Sequence, residues 1–438
     1  MTAYWARHAL LPRGVAANVR FEIAEGRFTS VTPDQPQGDA HLLPGVVIPG
    51  LANCHSHAFH RALRGRTHAG GGTFWTWRQG MYAVAAQLDP DSYLRLARAT
   101  YAEMALAGIT SVGEFHYLHH QPGGRPYDDP NAMGEAMRQA AREAGIRLTL
   151  LDTCYLAGGL TADGHVPLSG EQLRFGDGDA GRWATRVSAL KDDDTTRIGA
   201  AIHSVRAVPR TAIPTIVAAN GDRPLHVHLS EQPDENDACM SYYGVTPTRL
   251  LHDAGALGPQ TSVVHATHLS TEDIALLGGS ATTACFCPTT ERDLADGIGP
   301  ARALHDAGAY LSVGSDQHAV IDMFEELRGL EMHERLSSGR RGRFDLQELH
   351  DVATAQGSLG WPAAGVLVRG FMADLVAVRT DSVRTAGSDP AQILYSATAA
   401  DVHTVIRDGE VIVEDGHHRL GNVGRLLAEA IEPLSRNS

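Results

Sequence analysis

His55 and His57 flank Ser56 directly after the apolar run Val46-Val47-Ile48-Pro49-Gly50-Leu51. Side chains alternate along an extended segment, so residues i and i+2 point the same way. A His-x-His pair leaving a strand therefore aims two imidazoles at one point, which suits a divalent cation. With 23 histidines in 438 residues, one such pair is weak evidence. Further reactive residues follow at the ends of other apolar runs. Run 225–227 leads to His228, with Glu231 three residues later; run 262–264 leads to His265; run 310–315 leads to Asp316. Three imidazoles and one carboxylate, His55, His57, His228 and Asp316, match a borderline ion, zinc first and iron(II) second. Such an ion brings the pKa of a bound water toward ~7. Asp316 is then suited to take the water's proton, His265 to stabilise developing negative charge, and Glu231 to deliver a proton to a leaving group. One ion per chain is expected. Two-metal sites often use a carbamylated lysine to bridge the ions, and the only lysine here, Lys191, precedes the run that ends near His203.

These residues need elements that bring distant run ends together. Eight short apolar runs, roughly 46–53, 109–116, 146–153, 198–204, 224–230, 261–266, 281–287 and 310–316, read as parallel strands buried on both faces. Helix-like stretches lie between most of them: 93–105 stopping at Gly108, 132–144 at Gly145, 274–277 at Gly278 and 301–307 at Gly308. A repeated strand, helix, glycine order predicts an α/β fold, a (β/α)8 TIM-like barrel with its reactive groups at the carboxyl ends of the strands. The flanks differ. Residues 1–45 are short alternating segments, and 367–420 carry Asp408-Gly409 between two apolar runs, a hairpin signal. The expected organisation is a small β-sandwich domain built from both termini (1–45 plus 365–425), a metal-dependent catalytic barrel over 46–364, and a C-terminal tail at 426–438.

The formal net charge of -14 argues against nucleic acid and anionic membranes as partners and leaves a small-molecule substrate. No apolar stretch of ~20 residues exists, so no membrane span is expected. The N-terminus lacks the basic-then-apolar layout of a signal peptide. Five cysteines, an odd and low count, suit a reducing, cytoplasmic setting. Cys285 and Cys287 read as small core hydrophobes, and Cys54 as pointing away from the metal. A homodimer is the expected assembly.

The order His55-x-His57, His228, His265, Asp316 resembles the amidohydrolase superfamily, in its single-metal aminohydrolase branch. His228-Leu229-Ser230-Glu231 is similar to that branch's His-x-x-Glu signature. More narrowly, His55-Ser56-His57-Ala58-Phe59, Phe74-Trp75-Thr76-Trp77-Arg78, Glu114-Phe115-His116-Tyr117-Leu118-His119-His120 and His203-Ser204-Val205-Arg206 resemble the formimidoylglutamate deiminases of histidine degradation. The resemblance implies hydrolysis of N-formimino-L-glutamate to N-formyl-L-glutamate and ammonia, with substrate contacts at His60, Arg78, Tyr117, His203 and Arg206. His60 stands where that family often has Gln, and 290–297 departs from its usual loop. The substrate carries two carboxylates, and Arg78 and Arg206 are two planar guanidinium groups suited to them. The alternative is another aminohydrolase, acting on guanine or a thioether nucleoside, with Phe74, Trp75 and Trp77 as an aromatic slot. A non-catalytic relative would be expected to lose metal ligands, and here the full set stands.

Overall fold

The computed structural model describes residues 2–68, 72 and 74–435; the side chains of Phe74, Trp75 and Ser435 lie outside the described set. Eight strands, Leu51–Ser56, Ile109–His116, Arg147–Cys154, Thr196–Ile202, Leu225–Leu229, Thr261–His265, Thr283–Phe286 and Tyr310–Val313, pair in parallel with their chain neighbours. A parallel bridge between Ser56 and Asp316 joins last to first, reinforced by Asp316 N donating to His55 O at 3.0 Å and His57 N to Asp316 O at 3.1 Å. Gly314 permits this closure, because a Cβ there would lie 2.7 Å from the His55 backbone. The strands are buried along both faces, polar positions such as Thr149 and His226 included, which explains why they do not alternate apolar with exposed polar residues.

Capping chemistry sets the helix ends. Pro90–Leu106 begins with Asp89, whose carboxylate accepts Ser92 N while the Ser92 hydroxyl accepts Asp89 N. Ala132–Ala144 stops at Gly145, in the left-handed region at φ 85°. Gly278 acts differently from the expectation. It lies inside the helix Thr271–Gly279, where a Cβ would come within 2.2 Å of Ala307 O on the neighbouring helix Ala301–Ala307. It is needed for close helix approach and does not end the helix.

A second eight-stranded sheet comes from both termini. His41–Pro49 sits inside it, parallel to Thr2–Leu11 and antiparallel to Leu375–Val378, over a core of Tyr4, Phe21, Phe28, Val47 and Ile406. This corrects the first barrel run. Residues 46–49 pair in the terminal sheet, and the barrel opens only at Leu51. The two sheets are joined by charge: Arg147, which starts the third barrel strand, donates to Asp374 at 2.5 and 2.9 Å and also to Asp408. The expected tail is also corrected. Val423–Ser435 is a helix whose Leu427, Ile431 and Leu434 are buried on Pro90–Leu106. Each such side chain contributes about 1.5–3 kcal/mol. Among the described residues, no helix is long and apolar enough to cross a membrane.

Candidate metal centre and active site

Strand one ends with a bulge. Between Asn53 and Ser56 it carries one residue more than strand two, which re-aims the side chains that follow. Cys54 packs into a separate buried cluster with Cys285, Cys287, Leu359 and Trp361, as small core hydrophobes do. His55 and His57 turn toward the barrel mouth. Behind them, Glu114 accepts Ser56 Oγ and Ala58 N, each at 2.7 Å, and so holds the residues on either side of His57. Glu114 is fully buried, and burial lifts its pKa to about 7 against the pull of those donors. In the sequence it stands only as the first residue of the motif Glu114-Phe115-His116, with no sign of the donors it would meet.

His55, His57, His228 and Asp316 gather so that one potential ligand atom from each lies within 4.8 Å of all the others. His57 Nε2 and His55 Nε2 are each 3.3 Å from Asp316 Oδ1, and His55 Nε2 is 3.1 Å from His228 Nε2. The outer ring nitrogens explain the orientation. His57 Nδ1 donates to Phe115 O and His228 Nδ1 to His203 O, each at 2.9 Å. Both Nε2 atoms therefore present lone pairs inward, as in metal sites whose ligands are held by a carbonyl behind them. Burial drives all three imidazoles toward the neutral form, His57 to about 3 and the others well below their ordinary value. Converging lone pairs and a carboxylate repel one another unless a cation sits among them, so this donor set fits a divalent ion.

The remaining expected residues ring the same pocket. His265 Nε2 lies 3.8 Å from Glu231 and 3.9 Å from Asp316 Oδ2, and its Nδ1 lies 3.5 Å from Glu291. Burial opposes its positive charge, but Glu231, Glu291 and Asp316 outweigh burial and push its pKa up to about 10. Glu291 also caps its own helix by accepting Cys287 N at 2.8 Å. His60 Nε2 contacts Tyr117 Oη at 2.8 Å, and the His203 ring lies tilted against Tyr155 with centroids 4.3 Å apart. Arg78 donates to Tyr82 Oη at 2.8 Å. Arg206, expected to pair with a substrate carboxylate, also meets two carboxylates of its own chain. It donates to Glu231 at 3.1 Å and lies 3.2 Å from Glu235. Trp77, Arg78, Tyr82, Tyr117, Tyr155, Phe175, His203 and Arg206 all border one pocket that reaches Asp316. The aromatic residues at 82, 155 and 175 carry no motif and emerge only from the tertiary structure. Segment 290–297 is largely helix Pro288–Leu294, and Asp296 receives Gln232 Nε2 beside Glu231.

The backbone is strained where this chemistry gathers. Ser230, His265, Ala266, Asp316 and His318 all have φ between 39° and 71°. Left-handed non-glycine residues cost about 1–3 kcal/mol each and cluster at functional sites.

A second His/Asp cluster, His116, His119 and Asp152, lies close by. There Arg186 donates to both Asp152 oxygens at 2.8 Å and to Asp177 at 2.8 and 2.9 Å, and Trp183 Nε1 donates to Asp152 at 3.0 Å. Its carboxylate is already paired with a guanidinium.

Comparison with known proteins accords with this geometry. Residues 46–412 match the Amidohydrolase family, and residues 1–41 match the N-terminal domain described as Formimidoylglutamate deiminase HutF. The chain is 37% identical to a formimidoylglutamate deiminase of Pseudomonas aeruginosa, over 95% of this chain and 96% of that one. It is 29% identical to an 8-oxoguanine deaminase of the same organism, over 95% of each chain. An amidohydrolase structure from Brucella melitensis superimposes with a TM-score of 0.91 at 32% identity, covering 99% of this chain and 100% of that one.

Proposed function

The chain belongs to the amidohydrolase family, as a homologue of formimidoylglutamate deiminase acting on C–N bonds, and we propose that its substrate is N-formimino-L-glutamate, hydrolysed to N-formyl-L-glutamate and ammonia during histidine degradation. One observation carries this reading. Two guanidinium groups, Arg78 and Arg206, stand in the wall of the pocket that holds Glu231, His265 and Asp316. A linear substrate with two carboxylates and an amidine needs that pairing, and a flat neutral heterocycle does not. The alternative of a guanine or thioether-nucleoside deaminase draws on the aromatic lining and on the lower-identity relative that deaminates 8-oxoguanine.

His55, His57, His228 and Asp316 would hold one divalent ion, zinc before iron(II) on the nitrogen-rich donor set. When bound, that ion supplies Lewis acidity, lowering the pKa of water toward ~7. The chain's own groups do the rest. Arg78 and Arg206 pair with the two carboxylates, with His60, Tyr117 and His203 closing round the chain between them. Glu231 faces the amidinium. Water adds to the amidine carbon and gives up a proton on the side of Asp316 Oδ2. His265 stabilises the new C–O centre, and Glu231 takes the proton left on the new hydroxyl and passes it to the terminal nitrogen. The C–N bond breaks, the carbon becomes a formyl carbonyl, and ammonia leaves. Strain at His265 and Asp316 is consistent with groups preset for this task.

Five free, buried cysteines support a reducing, cytoplasmic setting. The same reading takes the terminal sheet and the barrel as two domains divided near residue 50, and expects a homodimer, testable by light scattering. The deciding experiment is ammonia release from N-formimino-L-glutamate, guanine and 5′-methylthioadenosine on one zinc-loaded preparation. Turnover of the first alone is expected; preference for either heterocycle would overturn the proposal.

A further inference from the structure

Arg206 is shared between two carboxylates. Its Nη2 is 3.1 Å from Glu231 Oε2, and its Nε is 3.2 Å from Glu235 Oε2. Glu235 is 1% exposed, whereas Arg206 keeps 21% of its side chain accessible. Glu235 lies in the first turn of helix Pro233–Tyr243, and its other oxygen accepts Ser230 N at 3.3 Å. Arg206 also forms part of the partition between two cavities. One reaches Asp316 and Glu231; the other, of about 220 Å³, is bordered by Gly159, Gln232, Asp234 and Glu235. Burying a carboxylate on the far side of a guanidinium is costly unless the pairing is kept. A lone Glu231 would attract both edges of Arg206 and engage the carboxylate needed for proton transfer. With Glu235 on the Nε edge, one Glu231 oxygen remains turned toward His265, 3.8 Å away.

We propose that Glu235 is a positioning residue. It anchors the Nε edge of Arg206 so that the Nη edge stays at the pocket wall, where the substrate's α-carboxylate, the one nearer the amidine that Glu231 faces, can share it with Glu231. This rests on the dicarboxylate reading above and adds the residue that makes Arg206 selective for it. The site would favour ligands with a second carboxylate over those with one, through Glu235, which touches neither ligand nor ion.

Binding tests this apart from turnover. Zinc-loaded wild type and Glu235→Gln are titrated calorimetrically with N-formyl-L-glutamate and with N-formyl-γ-aminobutyrate, which lacks the α-carboxylate. Glu235→Gln should weaken the dicarboxylate by about tenfold or more, as expected when a buried charged partner is removed, and the monocarboxylate by less than about threefold. Zinc content should be unchanged. Equal weakening of both ligands would make Glu235 merely structural; no weakening, or no dicarboxylate binding by wild type, would overturn the proposal. If wild type fails to deiminate N-formimino-L-glutamate yet shows the Glu235-dependent preference, the substrate reading falls and this one stands. Should the variant not fold, a crystal structure of wild type with N-formyl-L-glutamate decides. The proposal requires one ligand carboxylate on Arg206 Nη with Glu235 still at Nε, and a ligand carboxylate elsewhere refutes it.

Discussion

Two clusters of buried histidine and aspartate form near the same end of this barrel, and they do opposite things. His55, His57, His228 and Asp316 face one another with neutral rings and no guanidinium among them. His116, His119 and Asp152 enclose a carboxylate that Arg186 already holds with two donors. By residue type both could bind a cation. Electrostatics separates them, because a fixed positive charge 2.8 Å from Asp152 weakens the attraction an incoming ion would feel. The filled cluster braces the structure: Asp177, paired with Arg186, also holds His120, whose carbonyl receives Arg174. The unneutralised cluster is the one that fits a cation.

The largest effect should come from breaking the first cluster. Asp316→Asn should release the ion and cost more than the roughly 10–100-fold typical of residues behind a ligand. His119→Ala should leave ion content unchanged, as elemental analysis would show. Loss of the ion from His119→Ala would mean the two clusters are coupled. Within the reactive cluster, Glu231→Gln should keep the ion and lower turnover by about 10²–10⁴-fold, since an amide cannot carry the proton. Steady-state rates close to wild type would remove Glu231 from the mechanism.

Breaking the second cluster should act on stability. Arg186→Met leaves Asp152 and Asp177 buried without their partner, a change worth about 3–5 kcal/mol, seen as a fall in thermal midpoint. It should also convert the brace into a cation site, so added zinc should raise that midpoint more in the variant than in wild type. An unchanged midpoint would contradict the division drawn between the two clusters. The smallest effect is expected from Glu114→Gln, which loosens the support behind His55 and His57. Metal affinity, measured by competition with a chelator, should weaken by about 10–100-fold while the fold persists. Affinity equal to wild type would make Glu114 a packing residue only.

The amino-acid sequence by itself determined the parts and their order. Short runs rich in apolar residues marked seven barrel strands closely and the first one by the second half of its run, because burial on both faces leaves a local record. Reactive residues at run ends carried the order of the candidate centre. Helix stops at Gly145 and Gly308 were legible because a left-handed residue is a local requirement. Only the tertiary structure decided what depended on distant partners. Residues 46–49 belong to the terminal sheet because Thr2–Leu11 and Leu375–Val378 pair with them. The last helix is held by a face more than 300 residues away in sequence. Arg206 is divided between Glu231 and Glu235, and Arg186 silences Asp152, though nothing local distinguishes either arginine from one facing solvent. Periodicity reports how deeply a segment is buried. Which buried charges are already neutralised depends on contacts across the fold, so a window of sequence cannot contain it.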